Sequence, residues 1–211
     1  MSLTEQHISY QHQGRFFTWG DPEKADHLLI CLHGYGQLAA YFIRKFHALP
    51  ENIYVVCPEG PHRFYQAGTA GRVGASWMTK EDRLVDIDNY IAFLDQVYDQ
   101  QIMKHQFKRK TLLGFSQGGA TASRWVGMGN CSFDTFLLWA AVFPPDMAIS
   151  AQAKFKAQRN VFVIGTEDEY TTLEKAESYH KLLNTADMQF EFVKFEGKHQ
   201  VDVELLKALL Q

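Results

Sequence analysis

Two kinds of hydrophobic pattern alternate along this chain. Leu28–Leu32 is a continuous apolar run, the pattern of a strand covered on both faces. Ile53–Cys57 is a second and stops at Pro58, while Lys110–Phe115, Thr135–Ala141 and Asn160–Gly165 continue the series, and Gln189–Phe195 reads as a strand with rough alternation. Between them Leu38–Leu49, Leu84–Tyr98, Gln117–Gly127, Leu173–Leu183 and Val201–Leu210 read as helices. In the second of these Leu84, Ile87, Ile91, Leu94 and Val97 fall close to helical spacing. At the start, His7–Tyr10 and Arg15–Trp19 read as a β-hairpin turning near Gly14. Residues Glu59–Ser76 follow neither period. This Gly-rich stretch, with Pro61, His62, Arg63, Phe64 and Tyr65, reads as a long loop of the functional or mobile kind.

Strands alternating with helices predict an α/β fold, with a mostly parallel central sheet, helices on both faces and the N-terminal β-hairpin. There is no internal repeat, low-complexity tract or linker. The 211 residues suit a single domain over 1–211 with a substantial core.

Composition excludes some functions. Hydrophobic residues are 46% and charged residues 21%, and the net charge is −3. No basic field is available to attract nucleic acid or anionic lipid, so neither a nucleic-acid partner nor stable membrane anchoring is expected. Three cysteines, two of them (Cys31 and Cys57) in strand-like runs and Cys131 in a turn-like segment, read as reduced core thiols rather than a disulfide framework. The histidines include no metal-ligand spacing. The polar start, Met1 to His7, lacks the order of a signal peptide. No apolar run approaches membrane-spanning length, so a cytoplasmic location is the expectation.

The chemistry concentrates at Gly114-Phe115-Ser116-Gln117-Gly118-Gly119. A Ser between a strand and a helix in a G-x-S-x-G sequence sits on a sharp turn that exposes its hydroxyl. Small residues two places before and after it let the chain pass close to itself. The helix start aims free N–H groups at the place where an oxyanion would form. Ser116 needs a base and the base needs an orienting carboxylate. In an open α/β sheet both belong on loops beyond the carboxyl ends of strands. After Val161–Gly165 come Thr166-Glu167-Asp168-Glu169, where Asp168 is the first choice and Glu167 and Glu169 are rivals. After Phe190–Phe195 come Glu196-Gly197-Lys198-His199, and His199 is the base. The order Ser, Asp, His is that of an α/β-hydrolase triad. Two N–H donors are also required. The Gln117 backbone supplies one and the Tyr35 backbone, in Leu32-His33-Gly34-Tyr35-Gly36, the other. His33 reads as the residue that orders this loop.

These motifs, together with Gly165-Thr166-Glu167-Asp168 and Gly197-Lys198-His199, resemble the small phospholipase/carboxylesterase group of α/β-hydrolases, which includes acyl-protein thioesterases and bacterial carboxylesterases. The resemblance runs from about Leu28 to the C-terminus and is most specific at Gly-Phe-Ser-Gln-Gly-Gly. Val55-Val56-Cys57-Pro58 followed by Gly60-Pro61 is similar to the family's strand-to-loop passage, and Trp77 to its loop aromatic beside the acyl pocket. The resemblance implies an α/β-hydrolase fold with no large cap domain, no cofactor and no metal. It gives Ser116 as nucleophile, His199 as base and acid, Asp168 as orienter, and Tyr35 and Gln117 as the oxyanion hole. Gln37 stands where the family often has Asp, and Glu169-Tyr170 where it often has Val-Pro. Trp77, Phe64 and Tyr170 lead the candidates for the substrate wall, with Tyr65, Met78 and Phe143 behind them. Arg63 or Arg72 is the candidate for meeting an anionic leaving group. The expected activity is hydrolysis of small or medium carboxylic esters by a monomer or homodimer. The alternatives are an acyl thioesterase or lysophospholipase, a peptidase or amidase, and a non-catalytic hydrolase-like binding protein.

Overall fold

The computed structural model describes residues 2–147, 153–185 and 188–211. In chain order its elements are β1 (Phe16–Trp19), β2 (His27–Leu32), α1 (Ala39–Phe42) running into a 3-10 turn (Ile43–Phe46), β3 (Ile53–Pro58), β4 (His62–Ala67), β5 (Ala70–Ser76), α2 (Arg83–Lys104), β6 (Arg109–Phe115), α3 (Gln117–Met128), β7 (Thr135–Trp139), a second 3-10 turn (Ala153–Ala157), β8 (Arg159–Gly165), α4 (Leu173–Thr185), β9 (Phe190–Phe195) and α5 (Val203–Leu209). Seven strands form one sheet in the order β1-β3-β2-β6-β7-β8-β9, and β4 pairs only with β5. From β3 through to β9 every pairing is parallel, while β1 lies antiparallel on β3.

The continuous apolar runs are the inner strands. Every residue of β2 and β3 is buried, and β6, β7 and β8 lose burial only at their first residues. A strand buried on successive residues is covered on both faces, so helices or turns lie above and below the sheet. On α2 the buried positions Ile87, Tyr90, Ile91, Leu94, Val97, Tyr98 and Gln101 follow a spacing of three and four. Leu84, which also fits the spacing, lies in the first turn and is 67% exposed. The α2 stripe meets α3 where Tyr98 packs edge-on against Trp125 at 6.1 Å. Asp95 on α2 fixes that crossing by accepting the Trp125 indole N–H at 2.7 Å. Cys31, Cys57 and Cys131 are free thiols, and burial raises all three above the ordinary thiol pKa. No helix among the described residues is long and apolar enough to cross a membrane.

Two expectations need correction. No strand forms over residues 2–14, so there is no N-terminal hairpin. The strand predicted at Arg15–Trp19 exists as β1, and its partner is β3. Ile8 and Tyr10 are 90% and 80% exposed. A hairpin there would bury little, whereas the edge of β3 offers a partner already fixed in the sheet. Conversely, Glu59–Ser76 contains the β4–β5 hairpin, closed around Gly68 at φ +63°. Its period is hidden because β4 is exposed on nearly every residue and its register shifts between Tyr65 and Ala67.

Candidate active site

Ser116 lies between β6 and α3 at φ 55°, ψ −121°. That conformation costs a non-glycine residue about 1–3 kcal/mol, so the surroundings must hold it. The Ser116 N–H donates to the Trp139 carbonyl at 3.0 Å, and the Gly119 N–H to the Ser116 carbonyl at 2.9 Å. The turn is tight. A Cβ on Gly114 would stand 2.6 Å from the Gly118 oxygen, and one on Gly118 would stand 2.6 Å from the His33 oxygen. Those contacts are the physical content of the two flanking glycines.

Asp168 and His199 come together through the ends of two neighbouring strands. The loops after β8 and β9 are joined by Thr166 N–H to Phe195 O and Glu167 N–H to Gly197 O, both 2.9 Å. His199 Nδ1 is 2.7 Å from Asp168 Oδ2. The other carboxylate oxygen accepts the N–H groups of Tyr170 and Thr171 at 2.9 and 3.0 Å. Asp168 is buried, whereas Glu167 and Glu169 are exposed. Glu169 takes the backbone N–H of His199 at 3.1 Å and not its ring. An imidazole that donates its Nδ1–H in a hydrogen bond to a buried carboxylate keeps Nε2 as the basic lone pair. The His199 ring lies 4.9 Å from that of Phe115, next to the serine, and 4.6 Å from Tyr170. The His199 ring thus packs on the residue that precedes Ser116, and the Ser116 hydroxyl makes no hydrogen bond with any described residue. Trp139, outside every sequence-based candidate set, bonds to Ser116 and to Gln200, the residue after His199. Its carbonyl holds the Ser116 N–H, and its indole N–H donates to Gln200 O at 2.8 Å. An indole at the carboxyl end of an inner strand was the available signal.

The loop after β2 lies against the serine: a Cβ on Gly34 would be 3.1 Å from Ser116 Cβ. His33 orders it from beneath, with Nδ1 donating to Gly34 O at 2.8 Å and Nε2 accepting the Gly60 N–H at 3.0 Å. Burial lowers the His33 pKa from its ordinary value, which keeps the ring neutral with one donor and one acceptor. Gln37, where the related family often has Asp, accepts the Gly34 N–H at 3.0 Å and so anchors the loop itself. The N–H groups of Tyr35 and Gln117 have no acceptor among the described residues.

The substrate-wall candidates separate. Tyr35 is 62% exposed and stacks on Phe64 at 5.1 Å, and Tyr170 is 77% exposed beside His199. Trp77 needs correction: it is fully buried, donates its indole N–H to His33 O at 2.9 Å and packs on Tyr90. It supports the His33 loop and offers no surface to a substrate. Phe143 is buried among Phe155 and Phe190. Met78 is half-buried, with its sulfur 3.7 Å from Arg124, and Tyr65 is exposed on β4. Arg63 pairs at 3.6 Å with the buried Glu59, whose other partners are Arg15 at 2.7 Å and the Ala39 N–H at 3.1 Å. Arg72 is exposed on β5. A cavity of about 550 Å³, lined by residues such as Arg159, Asn160, Phe190 and Glu191, opens at the amino ends of β8 and β9, away from these groups.

A family model described as "Serine hydrolase (FSH1)" matches residues 24–203. A search of curated proteins gives no match. Among solved structures the chain is similar to acyl-protein thioesterase 2 of Zea mays, with 15% identity over 94% of this chain and 96% of that one and a TM-score of 0.71. It is also similar to esterase PE8, at 17% identity over 94% and 98% with a TM-score of 0.69. A third likeness is to a phospholipase/carboxylesterase of Dyadobacter fermentans, at 17% identity over 97% and 99% with a TM-score of 0.67. At such identities the likeness is one of fold, and the fold is that of an α/β-hydrolase, with no large cap among the described residues.

Proposed function

This chain belongs to the Serine hydrolase (FSH1) family, and on that premise we propose that it hydrolyses carboxylic esters through an acyl-enzyme on Ser116. The observation that carries the reading is the 2.7 Å hydrogen bond from the His199 ring to buried Asp168, beside a serine held in a strained turn. In this reading the Ser116 oxygen bonds to the acyl carbon while its proton passes to His199 Nε2. The carbonyl π pair moves to oxygen, where the N–H groups of Tyr35 and Gln117 receive the charge. Such donors are worth roughly 10²–10³ each in rate. The carbonyl re-forms, the bond to the leaving alkoxide breaks, and His199 returns the proton to it. Water, deprotonated by the same nitrogen, then releases the acid and restores the serine.

Asp168 holds the imidazole in the tautomer that leaves Nε2 free and stabilises the imidazolium that forms. Its second oxygen is saturated by the Tyr170 and Thr171 N–H groups, so the carboxylate has one orientation. The exposed rings of Tyr35 and Tyr170, with half-buried Phe64 stacked on Tyr35, supply the apolar wall for a small or medium acyl group. A thioester would use the same intermediate, and the structure of the Zea mays acyl-protein thioesterase shares this fold.

The test is hydrolysis of p-nitrophenyl esters from acetate to palmitate by wild type and Ser116→Ala. The expected result is a rate that peaks at a short or medium chain and falls about 10⁴-fold or more in the variant. Equal rates in the two proteins would overturn the reading.

A further inference from the structure

The two N–H groups assigned to the oxyanion stand on different elements, the loop after β2 and the start of α3. One hairpin holds them both. The loop Gly34–Gln37 lies along β5: the Gly36 N–H donates to Ala75 O at 2.9 Å, and the Ala75 N–H to Gln37 O at 3.2 Å. Gln66, reaching over from β4, donates its side-chain amide to Gly36 O at 2.5 Å. The approach needs Gly74, since a Cβ there would stand 2.6 Å from Gly36 O. Within Gly34–Gln37 the Gly34 N–H is taken by the Gln37 side chain, the Gly36 N–H by Ala75 and the Gln37 N–H by Gly34 O. The Tyr35 N–H alone in that loop is left over.

The second donor is tied to the same hairpin through its own side chain. The Gln117 amide oxygen accepts the Trp77 N–H at 3.2 Å, and its nitrogen donates to Met78 O at 3.0 Å. Ser76 Oγ lies 3.0 Å from that nitrogen. Residues 76–78 are where the chain leaves β5. We infer that the β4–β5 hairpin sets the distance between the two oxyanion donors, with Gln66 and the Gln117 side chain as positioning residues. The inference rests on the oxyanion assignment proposed above. It gives the amide side chain at 117 a task separate from its backbone donor, and explains why an exposed hairpin is bonded so closely to the site. A misplacement of about 1 Å in such a site costs up to about 10²-fold in rate.

The test uses Gln117→Met and Gln66→Met, which keep side-chain length and remove the polar contacts, and Gln66→Lys, which restores a donor. The readouts are kcat and KM for the preferred ester, and the affinity of a trifluoromethyl ketone, whose adduct with the serine places an oxyanion between the donors. Gln117→Met is expected to lower kcat by about 10- to 100-fold and Gln66→Met by about 3- to 10-fold, scaled from the cost of a displaced group. KM stays within about twofold, ketone affinity falls in step with kcat/KM, and Gln66→Lys recovers most of the loss. A rise in KM at unchanged kcat, or a Lys variant as impaired as the Met variant, overturns the inference. If Gln117→Met fails to fold, the Gln66 pair decides alone, because that side chain is exposed. Failure of the underlying reading is separate: it shows as full activity in Ser116→Ala. If wild type cleaves none of the esters, amide hydrogen exchange over residues 32–40 decides. Exchange quickens in Gln66→Met and not in Gln66→Lys, and no difference between them overturns the inference.

Discussion

The two sides of the candidate site are built in different ways. On the β8–β9 side the groups the proposed mechanism uses are side chains. Asp168 bonds to the His199 ring at 2.7 Å, while the flanking Glu167 and Glu169 are exposed. On the β2–β5 side the proposed mechanism uses backbone N–H groups, with side chains holding the loops that carry them, as Gln37 holds Gly34 and Gln117 holds residues 76–78. The first side is specified by which residues are present and the second by where the chain runs. Substitutions on the first side are therefore expected to remove a chemical step, and those on the second to detune it.

Asp168→Asn is the strongest way to break the comparison. It keeps the shape and removes the charge that fixes the tautomer, and kcat is expected to fall about 10⁴-fold. Single-turnover kinetics with the preferred ester would show it, and a loss of under tenfold would mean that another carboxylate orients His199.

A second effect lies at the amino ends of the inner strands, away from both sides. His27, the first residue of β2, is buried, with Nε2 2.9 Å from Thr111 Oγ1 and Nδ1 without a partner among the described residues. Burial is the largest cause that pushes its pKa down to about 4 from 6.5. The unfolded chain therefore binds a proton between those values that the folded chain does not. Stability contributed by neutral His27 is complete above pH 6.5 and is lost as pH falls toward 4, by on the order of 2 kcal/mol. Urea unfolding from pH 7.5 to 4.5 should show that slope flattened in His27→Gln, and an unchanged slope would assign acid sensitivity elsewhere.

Trp139→Phe sharpens the comparison at the point where the two sides meet. It removes the indole bond to Gln200 O while leaving the backbone bond to Ser116 N–H. The expected result is a kcat lower by about tenfold at unchanged KM, with intact folding by circular dichroism. Glu169→Ala is the mild partner of Asp168→Asn. It removes an acceptor from the His199 backbone and not from the ring, and should cost less than about threefold in kcat.

The same division explains what the sequence could tell. The inner strands are legible because parallel strands covered on both faces read as unbroken apolar runs, as in Leu28–Leu32. Asp168 and His199 are legible because each follows its own strand, and neighbouring parallel strands deliver their following loops to one edge. The choice of Asp168 over Glu167 and Glu169 is less so, since three adjacent carboxylates differ only in which one the loop turns inward. The hairpin in Glu59–Ser76 is invisible to periodicity because β4 lies outside the core. Trp77 is misread as a wall for a related reason. Its burial comes from Tyr90 on α2 and from the His33 loop, neither of them local in sequence. The Gln117 side chain carries no signal, because a glutamine anchoring a loop and a glutamine facing solvent have the same sequence.

The most direct test of the central claim is reaction with a fluorophosphonate, followed by peptide mass mapping. The account predicts one adduct per chain, on Ser116, formed at least about 10³-fold more slowly in His199→Ala, since the base activates the nucleophile. An adduct on another residue, or none at all, would contradict it.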